Sequence, residues 1–288
     1  PAQGNGHRWP GDARRQEQNV NATEQYLVRH GKPANKGGLQ PVVEFEQLSV
    51  AVLKLKAGEV FAETAAGESA WLLMSGSVRG QAGNLEFEFK RNSLFDESAS
   101  CVHLSAGTAL TIAATTNSEL TVYRCPNGKP FDPRVFTPGQ VPNEHRGAGQ
   151  VASRCLRFVR TIFDRKTSPE NAELVLGEVV TLPGGWSSYP PHHHRQPEIY
   201  HYRFTAPQGY GHAELGDEVF KVRDRDTVCI KPGLDHAQCA APGYGMYYSW
   251  VIRHLPGDPY TVPDFTEEHA WTMDKGAAFW WPDDVSRG

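Results

Sequence analysis

Two histidines and a glutamate at short intervals are the residues of this sequence best suited by type and spacing to bind a metal. His192 and His194 are two residues apart, and Glu198 follows four residues after the second histidine. In an extended strand, residues two apart project from one face, so the three side chains can converge if the backbone stays extended. Two neutral imidazoles and one carboxylate leave positions open for water or substrate, which suits a catalytic divalent cation.

A fourth metal ligand is expected from a distant segment, and His236 is the candidate. It follows the turn sequence Lys231-Pro232-Gly233, which comes directly after the strand-like run 227–230. His193 and His201 have the opposite strand parity from the predicted ligands, so both are expected to point away. The alternative interpretation of the three adjacent histidines is a solvated polar turn.

Short strands and glycine-rich turns are predicted to position these residues. Alternating apolar and polar runs recur at intervals of about eight to twelve residues, which predicts an all-β fold built from antiparallel barrels or jelly rolls. A weak internal repeat favours two such domains, and the first half contains no His-x-His pair, so the first domain is predicted to lack a metal. The predicted organisation is a poorly ordered N-terminal arm (1–41), a metal-free N-terminal domain (42–125), a linker (126–150), a metal-binding C-terminal domain (151–263) and an aromatic C-terminal tail (264–288).

Composition excludes several classes of partner. The 288 residues carry a net charge of -4 and no long basic run, so no nucleic-acid partner is expected. No apolar run approaches the roughly 20 residues that a membrane helix needs, so no membrane partner is expected either. The five cysteines are odd in number and form no CxxC pair, which is typical of reduced thiols and predicts a cytoplasmic protein.

The order of the predicted ligands resembles a known pattern. A glycine, a His-x-His pair, a glutamate, a Pro-Gly turn and a final histidine occur in this order in the cupins. The phrases Gly185–His192, Glu198–Phe204 and Ala241–Val251 further resemble the 5-deoxy-glucuronate isomerases of inositol catabolism. These are two-cupin sugar isomerases related to the 5-keto-4-deoxyuronate isomerases, and the resemblance covers roughly residues 45–275.

The resemblance implies a fold, a reaction and a cofactor. The fold is two cupin (jelly-roll β-barrel) domains in tandem, a bicupin. The reaction is aldose–ketose isomerisation of a deoxy-uronate, most specifically 5-deoxy-D-glucuronate to 5-dehydro-2-deoxy-D-gluconate in myo-inositol catabolism. One divalent metal ion per chain is expected in the C-terminal domain, and zinc, manganese, iron and nickel all suit its ligands. A homo-oligomer that binds a small sugar acid is expected.

One departure from the family pattern bears on the substrate. Only Arg195-Gln196-Pro197 separates His194 from Glu198, where the inositol family usually carries a longer acidic insertion. This spacing is closer to that of the pectin-pathway relatives, so another uronate such as 4-deoxy-5-ketouronate is the alternative substrate. A metal-dependent cupin dioxygenase and a non-catalytic sugar-binding cupin are the alternatives from other functional classes.

Aldose–ketose isomerisation needs a group that moves a proton between two adjacent carbons. Tyr200 and Tyr202 share the parity of Glu198 and are expected to line the cavity. One of them, or a hydroxide bound to the metal, is the predicted proton carrier, and Tyr248 is the third candidate catalytic residue. Packing inside the barrel is the alternative role for these tyrosines.

Substrate binding calls for a cation and an apolar wall. Arg203, Lys231 and Arg253 are the candidates for binding a substrate carboxylate, because an arginine fork matches a carboxylate and lysine supplies a point charge. Trp186, like Tyr248, could give the sugar an apolar wall. The alternatives are a solvated surface position for each cation and a core position for the aromatic residues.

Overall fold

The computed structural model describes residues 25–29 and 37–283, and β-strands make up most of this part of the chain. One 3-10 helix, Glu267–Met273, follows the last strand. The strands are β1 (Leu27–Val28), β2 (Gly38–Phe45), β3 (Leu48–Leu55), β4 (Val60–Thr64), β5 (Glu68–Ala82), β6 (Leu85–Arg91), β7 (Cys101–Leu104), β8 (Ala109–Ala114), β9 (Ser118–Cys125), β10 (Arg134–Phe136), β11 (Glu144–Arg146), β12 (Arg157–Phe163), β13 (Leu174–Thr181), β14 (Trp186–His193), β15 (Glu198–Phe204), β16 (Tyr210–Leu215), β17 (Glu218–Arg223), β18 (Thr227–Ile230), β19 (His236–Ala240), β20 (Met246–Arg253) and β21 (Asp264–Phe265).

The strands fall into an N-terminal and a C-terminal half. Strands β2 to β10, the N-terminal half, form a nine-stranded sheet. Strands β11 to β21, the C-terminal half, form a seven-stranded and a five-stranded sheet, and β1 joins the seven-stranded one beside β18. All named pairings are antiparallel, as the regular spacing of short strands predicts. This division agrees with two tandem domains, and the presence of a complete cupin barrel in each half stays a prediction.

Burial follows from the position of each strand. In β6 buried and exposed residues alternate, because one face packs on the core and the other meets water. In β13 every residue is buried, because the strand lies between β12 and β20 with both faces covered. One hydrophobic cluster lies within the N-terminal half, and a larger one includes residues of both halves, such as Tyr123 and Tyr247. The two halves therefore share a core.

Several element boundaries differ from the predicted domain limits. Strand β2 begins at Gly38, so the predicted arm (1–41) ends too late; its residues 1–24 and 30–36 lie outside the described part of the chain. The predicted linker (126–150) contains β10 and β11, each of which pairs with a strand of its own half. Strand β21, at the start of the predicted tail, pairs with β14. Local sequence rich in proline predicts a loop, whereas the pairing that makes β10 and β11 strands depends on partners far away in the sequence.

Candidate active site

A wide bulge in β14 sets the positions of the histidines. Ser187 lies opposite Gln238 of β19, and the next aligned pair is His192 opposite His236, so four residues of β14 face one residue of β19. Bulges of this kind bend a strand and re-aim its side chains, and they are frequent beside active sites. The bulge brings His192 level with His236 although the two segments are far apart in sequence.

Three of the four predicted metal ligands converge. His194 follows β14, Glu198 opens β15 and His236 opens β19, and each offers a ligand atom within 4.8 Å of the others. The Nε2 atoms of His194 and His236 lie 3.1 Å and 3.3 Å from Oε2 of Glu198. All three side chains are buried.

His192 lies beside this group. Its ring centroid is 4.4 Å from that of His236, and it is opposite His236 in the strand register. Its neighbour His193 points away, as its parity predicts, and contacts Asp235 through Nδ1 at 2.7 Å. The convergence of three ligands with His192 adjacent agrees with the predicted set.

The second nitrogen of each histidine is held by the backbone. Nδ1 of His192, His194 and His236 donates to the carbonyl oxygens of Pro190, Gln196 and Leu234 at 3.3, 2.9 and 3.3 Å. Donation from Nδ1 leaves Nε2 as the atom that can face a metal, the arrangement found around histidine ligands of metals. Nε2 of His236 is buried and has no hydrogen-bond partner among the described residues. The residues present therefore fit a divalent cation.

The electrostatics of the site favour a charged Glu198 and an uncharged His192. Burial alone would raise the pKa of Glu198, but its close contacts with His194 and His236 outweigh burial and lower that pKa to about 2. Burial, with His236 nearby, lowers the pKa of His192 to about 3. At neutral pH, Glu198 is therefore an anion and His192 an uncharged candidate ligand.

A cavity of about 170 Å³ opens beside these residues. His192 and Glu198 line it, together with side chains from other strands and from segment 260–265 of the C-terminal half. The other lining residues with functional or aromatic side chains are Arg146, Arg157, Ser188, Tyr200, Trp250, Tyr260 and Phe265.

Only one of the three predicted catalytic tyrosines lines this cavity. The Tyr200 hydroxyl lies 3.2 Å from Oγ of Ser188. The Tyr248 hydroxyl lies 3.0 Å from the same oxygen, but Tyr248 is not among the residues that line the cavity. Tyr202 donates instead to Oε1 of Gln238 at 2.6 Å. Burial raises the pKa of all three hydroxyls, that of Tyr248 to about 12.

The structure places the predicted substrate-binding residues outside the cavity lining. Arg203 and Arg253 have the opposite parity from Glu198 and Trp250 on their strands, and they pair with Glu119 and Glu173. Ion pairs on the other face of the sheet already engage both arginines, so their position gives no support to the predicted role as carboxylate ligands, which stays a prediction.

The other two candidates also lie away from the cavity. Lys231 is exposed on the turn before His236, and the ring of Trp186 packs edge-on against that of Tyr189. Sequence reasoning missed Arg146, Arg157, Tyr260 and Phe265 as lining residues. Strand pairing brings Arg146, Arg157 and Phe265 there, and Tyr260 lies on the segment between β20 and β21; no local pattern of the sequence shows either placement.

Comparison with known proteins gives the family. Residues 26–272 match the KduI/IolB family. The chain belongs to this family. A relative named 5-deoxy-glucuronate isomerase from Lacticaseibacillus casei is 29% identical over 248 residues, which cover 79% of this chain and 88% of the relative. This KduI/IolB protein is an isomerase.

Solved structures support the fold. An IolB-like protein from Salmonella typhimurium LT2 is 26% identical with a TM-score of 0.76, covering 86% of this chain and 99% of that protein. The oxalate decarboxylase of Lactobacillus farciminis is 14% identical with a TM-score of 0.60, covering 87% of this chain and 89% of that protein. The second likeness bears on the fold alone, and the fold is a cupin fold. Among the described residues, no helix is long and apolar enough to span a membrane.

Proposed function

We propose that this KduI/IolB protein is a metal-dependent aldose–ketose isomerase that converts 5-deoxy-D-glucuronate to 5-dehydro-2-deoxy-D-gluconate in myo-inositol catabolism. The observation that carries the proposal is the convergence of His194, Glu198 and His236 beside a small cavity. The substrate is supported by the relatives named 5-deoxy-glucuronate isomerase. A homo-oligomer and a cytoplasmic location stay predictions.

The proposed metal would be held by His192, His194, Glu198 and His236. When bound, a divalent cation supplies a Lewis acid that polarises the substrate carbonyl and stabilises negative charge on its oxygen. The backbone carbonyls that accept from the histidine Nδ1 atoms keep each Nε2 free for this role.

The protein's own residues would orient the sugar and move protons. Isomerisation transfers one proton from the hydroxyl-bearing carbon to the neighbouring aldehyde carbon, and a second proton between their oxygens. Tyr200 presents its hydroxyl at the cavity, so it is our candidate for proton transfer. Ser188, with a φ of 49°, holds the hydroxyls of Tyr200 and Tyr248 together. Trp250 and Tyr260 give the cavity apolar walls.

Metal analysis of the purified wild type beside His194→Ala tests this proposal. We expect about one metal per wild-type chain, because three buried ligands converge, and turnover of 5-deoxy-glucuronate with uptake of solvent deuterium. His194→Ala should lose both the metal and the turnover. His193→Ala is the matched control, since this neighbouring histidine pairs with Asp235 and should leave both unchanged.

Each other result points to a different function. Metal without turnover of 5-deoxy-glucuronate would keep the site and reject this substrate, and oxygen uptake with an aromatic or thiol substrate would indicate a dioxygenase. A wild-type protein that binds sugar acids but no metal would contradict the metal-dependent isomerase mechanism and favour a sugar-binding cupin.

A further inference from the structure

Two arginines face each other at the wall of the cavity. Arg146 at the end of β11 and Arg157 at the start of β12 are direct cross-strand partners. Side chains of such partners project from the same face of the sheet, and both residues line the cavity that His192 and Glu198 also line. The cavity therefore brings together the candidate metal ligands and a pair of cations.

This arrangement carries an unbalanced positive charge. Like charges directly opposite each other on neighbouring strands are destabilising. Glu144 neutralises Arg146 at 2.7 Å, but Arg157 makes no ion pair within residues 25–29 and 37–283. The recorded hydrogen bond of Arg157 runs from Nη1 to the carbonyl oxygen of Cys155 at 3.1 Å. An uncompensated guanidinium at the edge of a cavity calls for an anion.

The local backbone is shaped around the Arg157 guanidinium. Gly147 has a φ of 82°, and a Cβ there would lie 2.8 Å from Nη1 of Arg157 and 2.1 Å from the Cys155 carbonyl oxygen. A side chain at this position would displace the guanidinium. Burial lowers the pKa of Arg157, in line with a cation that lacks a counter-ion.

The nearby carboxylate, Glu198, makes no ion pair with Arg157 among the described residues. Glu198 is engaged by His194 and His236 through one of its oxygens, and the remaining lining residues of the cavity are neutral or basic. The missing anion must therefore come with the ligand. A carboxylate is complementary to the planar fork of an arginine, which binds it in a bidentate manner.

We propose that Arg157, assisted by Arg146 opposite it, binds the carboxylate of a sugar-acid substrate. This assignment of a carboxylate site depends on the proposed function in one respect only, the identity of the sugar acid that binds. Binding of the carboxylate fixes the orientation of the sugar acid in the cavity, because the acid end lies at Arg157 and the carbonyl end lies away from it. Arg157 thereby selects sugar acids over neutral sugars.

Binding of D-glucuronate and of D-glucose, measured by calorimetry on the intact chain, tests the carboxylate site separately from catalysis. The wild type should bind glucuronate more tightly than glucose. Loss of a charge-assisted hydrogen-bond pair should weaken glucuronate binding about 10- to 100-fold in Arg157→Gln and leave glucose binding unchanged. Arg157→Lys should retain part of the preference because it keeps the charge without the fork. Arg79→Gln, an exposed arginine on β5, is the matched control.

The outcomes separate the two proposals. Equal weakening of glucuronate and glucose in Arg157→Gln, or a wild type with no preference for the acid, would overturn the carboxylate site. A different result is a protein that prefers glucuronate in a way that depends on Arg157 and yet fails to isomerise 5-deoxy-glucuronate. That result would support the carboxylate site and reject the proposed reaction. If Arg157→Gln does not fold, Arg157→Lys and Arg146→Gln carry the same comparison, and both must reduce the preference.

Discussion

At the scale of single residues, Glu198 and Tyr200 lie on one face of β15, and their pKa values are shifted in opposite directions. Burial alone would raise the pKa of Glu198, but two histidines contact its carboxylate and lower that pKa to about 2. Burial raises the pKa of Tyr200 well above its ordinary value, and the negative charge of Glu198 raises it further. The strand thus presents a fixed anion and a protonated hydroxyl to the cavity, which suits metal binding by one and proton donation by the other.

Replacement of Tyr200 by phenylalanine tests this division of roles. Because Tyr200 alone among the three candidate tyrosines lines the cavity, Tyr200→Phe should lower kcat by about 100-fold or more, with a small change in KM. The measurement is steady-state turnover of 5-deoxy-glucuronate together with deuterium uptake from solvent.

Tyr202→Phe provides the comparison on the same face of the strand. It removes the hydroxyl that donates to Gln238, so we expect a loss of stability of about 1–3 kcal/mol and a much smaller effect on kcat. An unchanged kcat in Tyr200→Phe would show that another group carries the proton.

At the scale of the elements, the pairing of β13 with β20 builds one wall of the cavity. Gly177 lies opposite Trp250 in the register, and the indole lies over the glycine. A Cβ at Gly177 would be 2.3 Å from Cζ2 of Trp250, closer than the two atoms can approach. The absence of a side chain at Gly177 is therefore what sets the position of Trp250.

Gly177→Ala should push Trp250 out of position. We expect a loss of stability of about 1–3 kcal/mol from overpacking and a reduced kcat/KM, since Trp250 lines the cavity. Urea unfolding and steady-state kinetics measure the two effects. Gly139→Ala is the control, because a Cβ there has open space around it. Equal stability and kinetics in the two variants would contradict this role of Gly177.

At the scale of the whole molecule, buried ionic contacts join the two halves. Glu178 of β13 is fully buried, and its carboxylate binds Arg91 of the N-terminal half at 2.6 Å. Arg160 and Tyr247 complete its contacts at 3.4 and 2.7 Å. The carboxylate of Glu68 makes a second connection by accepting from the backbone N–H groups of 173 and 174. The back face of the site sheet is thus anchored to the other half.

The Glu178 contacts predict an acid-sensitive stability. Burial alone would raise the pKa of Glu178, but the two arginines outweigh it and hold the pKa below its ordinary value of 4.5. Because the folded-state pKa is lowered, the ionised carboxylate stabilises the fold fully above about pH 4.5, and this contribution is lost as the pH falls through the lowered pKa.

Glu178→Gln should therefore lose about 3–5 kcal/mol at neutral pH, because it leaves two buried guanidinium groups without their anion. Its deficit relative to the wild type should shrink below pH 4.5. Urea unfolding at several pH values measures both. Glu63→Gln, in a more exposed pair with Arg124, should cost about 1 kcal/mol or less. A constant deficit at all pH values would contradict the linkage.

The sequence by itself determined the strand-rich fold and the core of the candidate site. Alternating runs between glycine-rich turns indicate β-strands because strand side chains repeat every two residues. The same period predicted correctly that His193 would point away from the ligands. The short His192–Glu198 segment made a cluster of candidate metal ligands predictable, since its members are local in sequence, and His236 followed from the turn before it.

Only the tertiary structure decided which cations and hydroxyls reach the cavity. The sequence predicts Arg203 and Arg253 at the cavity, but both have carboxylate partners on the opposite face of the sheet. Arg146 and Arg157 reach the cavity instead, because β11 pairs with β12. The physical reason is that the two-residue period of a strand shows which side chains share a face, but it does not show what packs against each face. Which face meets the cavity and which meets the other half depends on contacts between segments far apart in the chain.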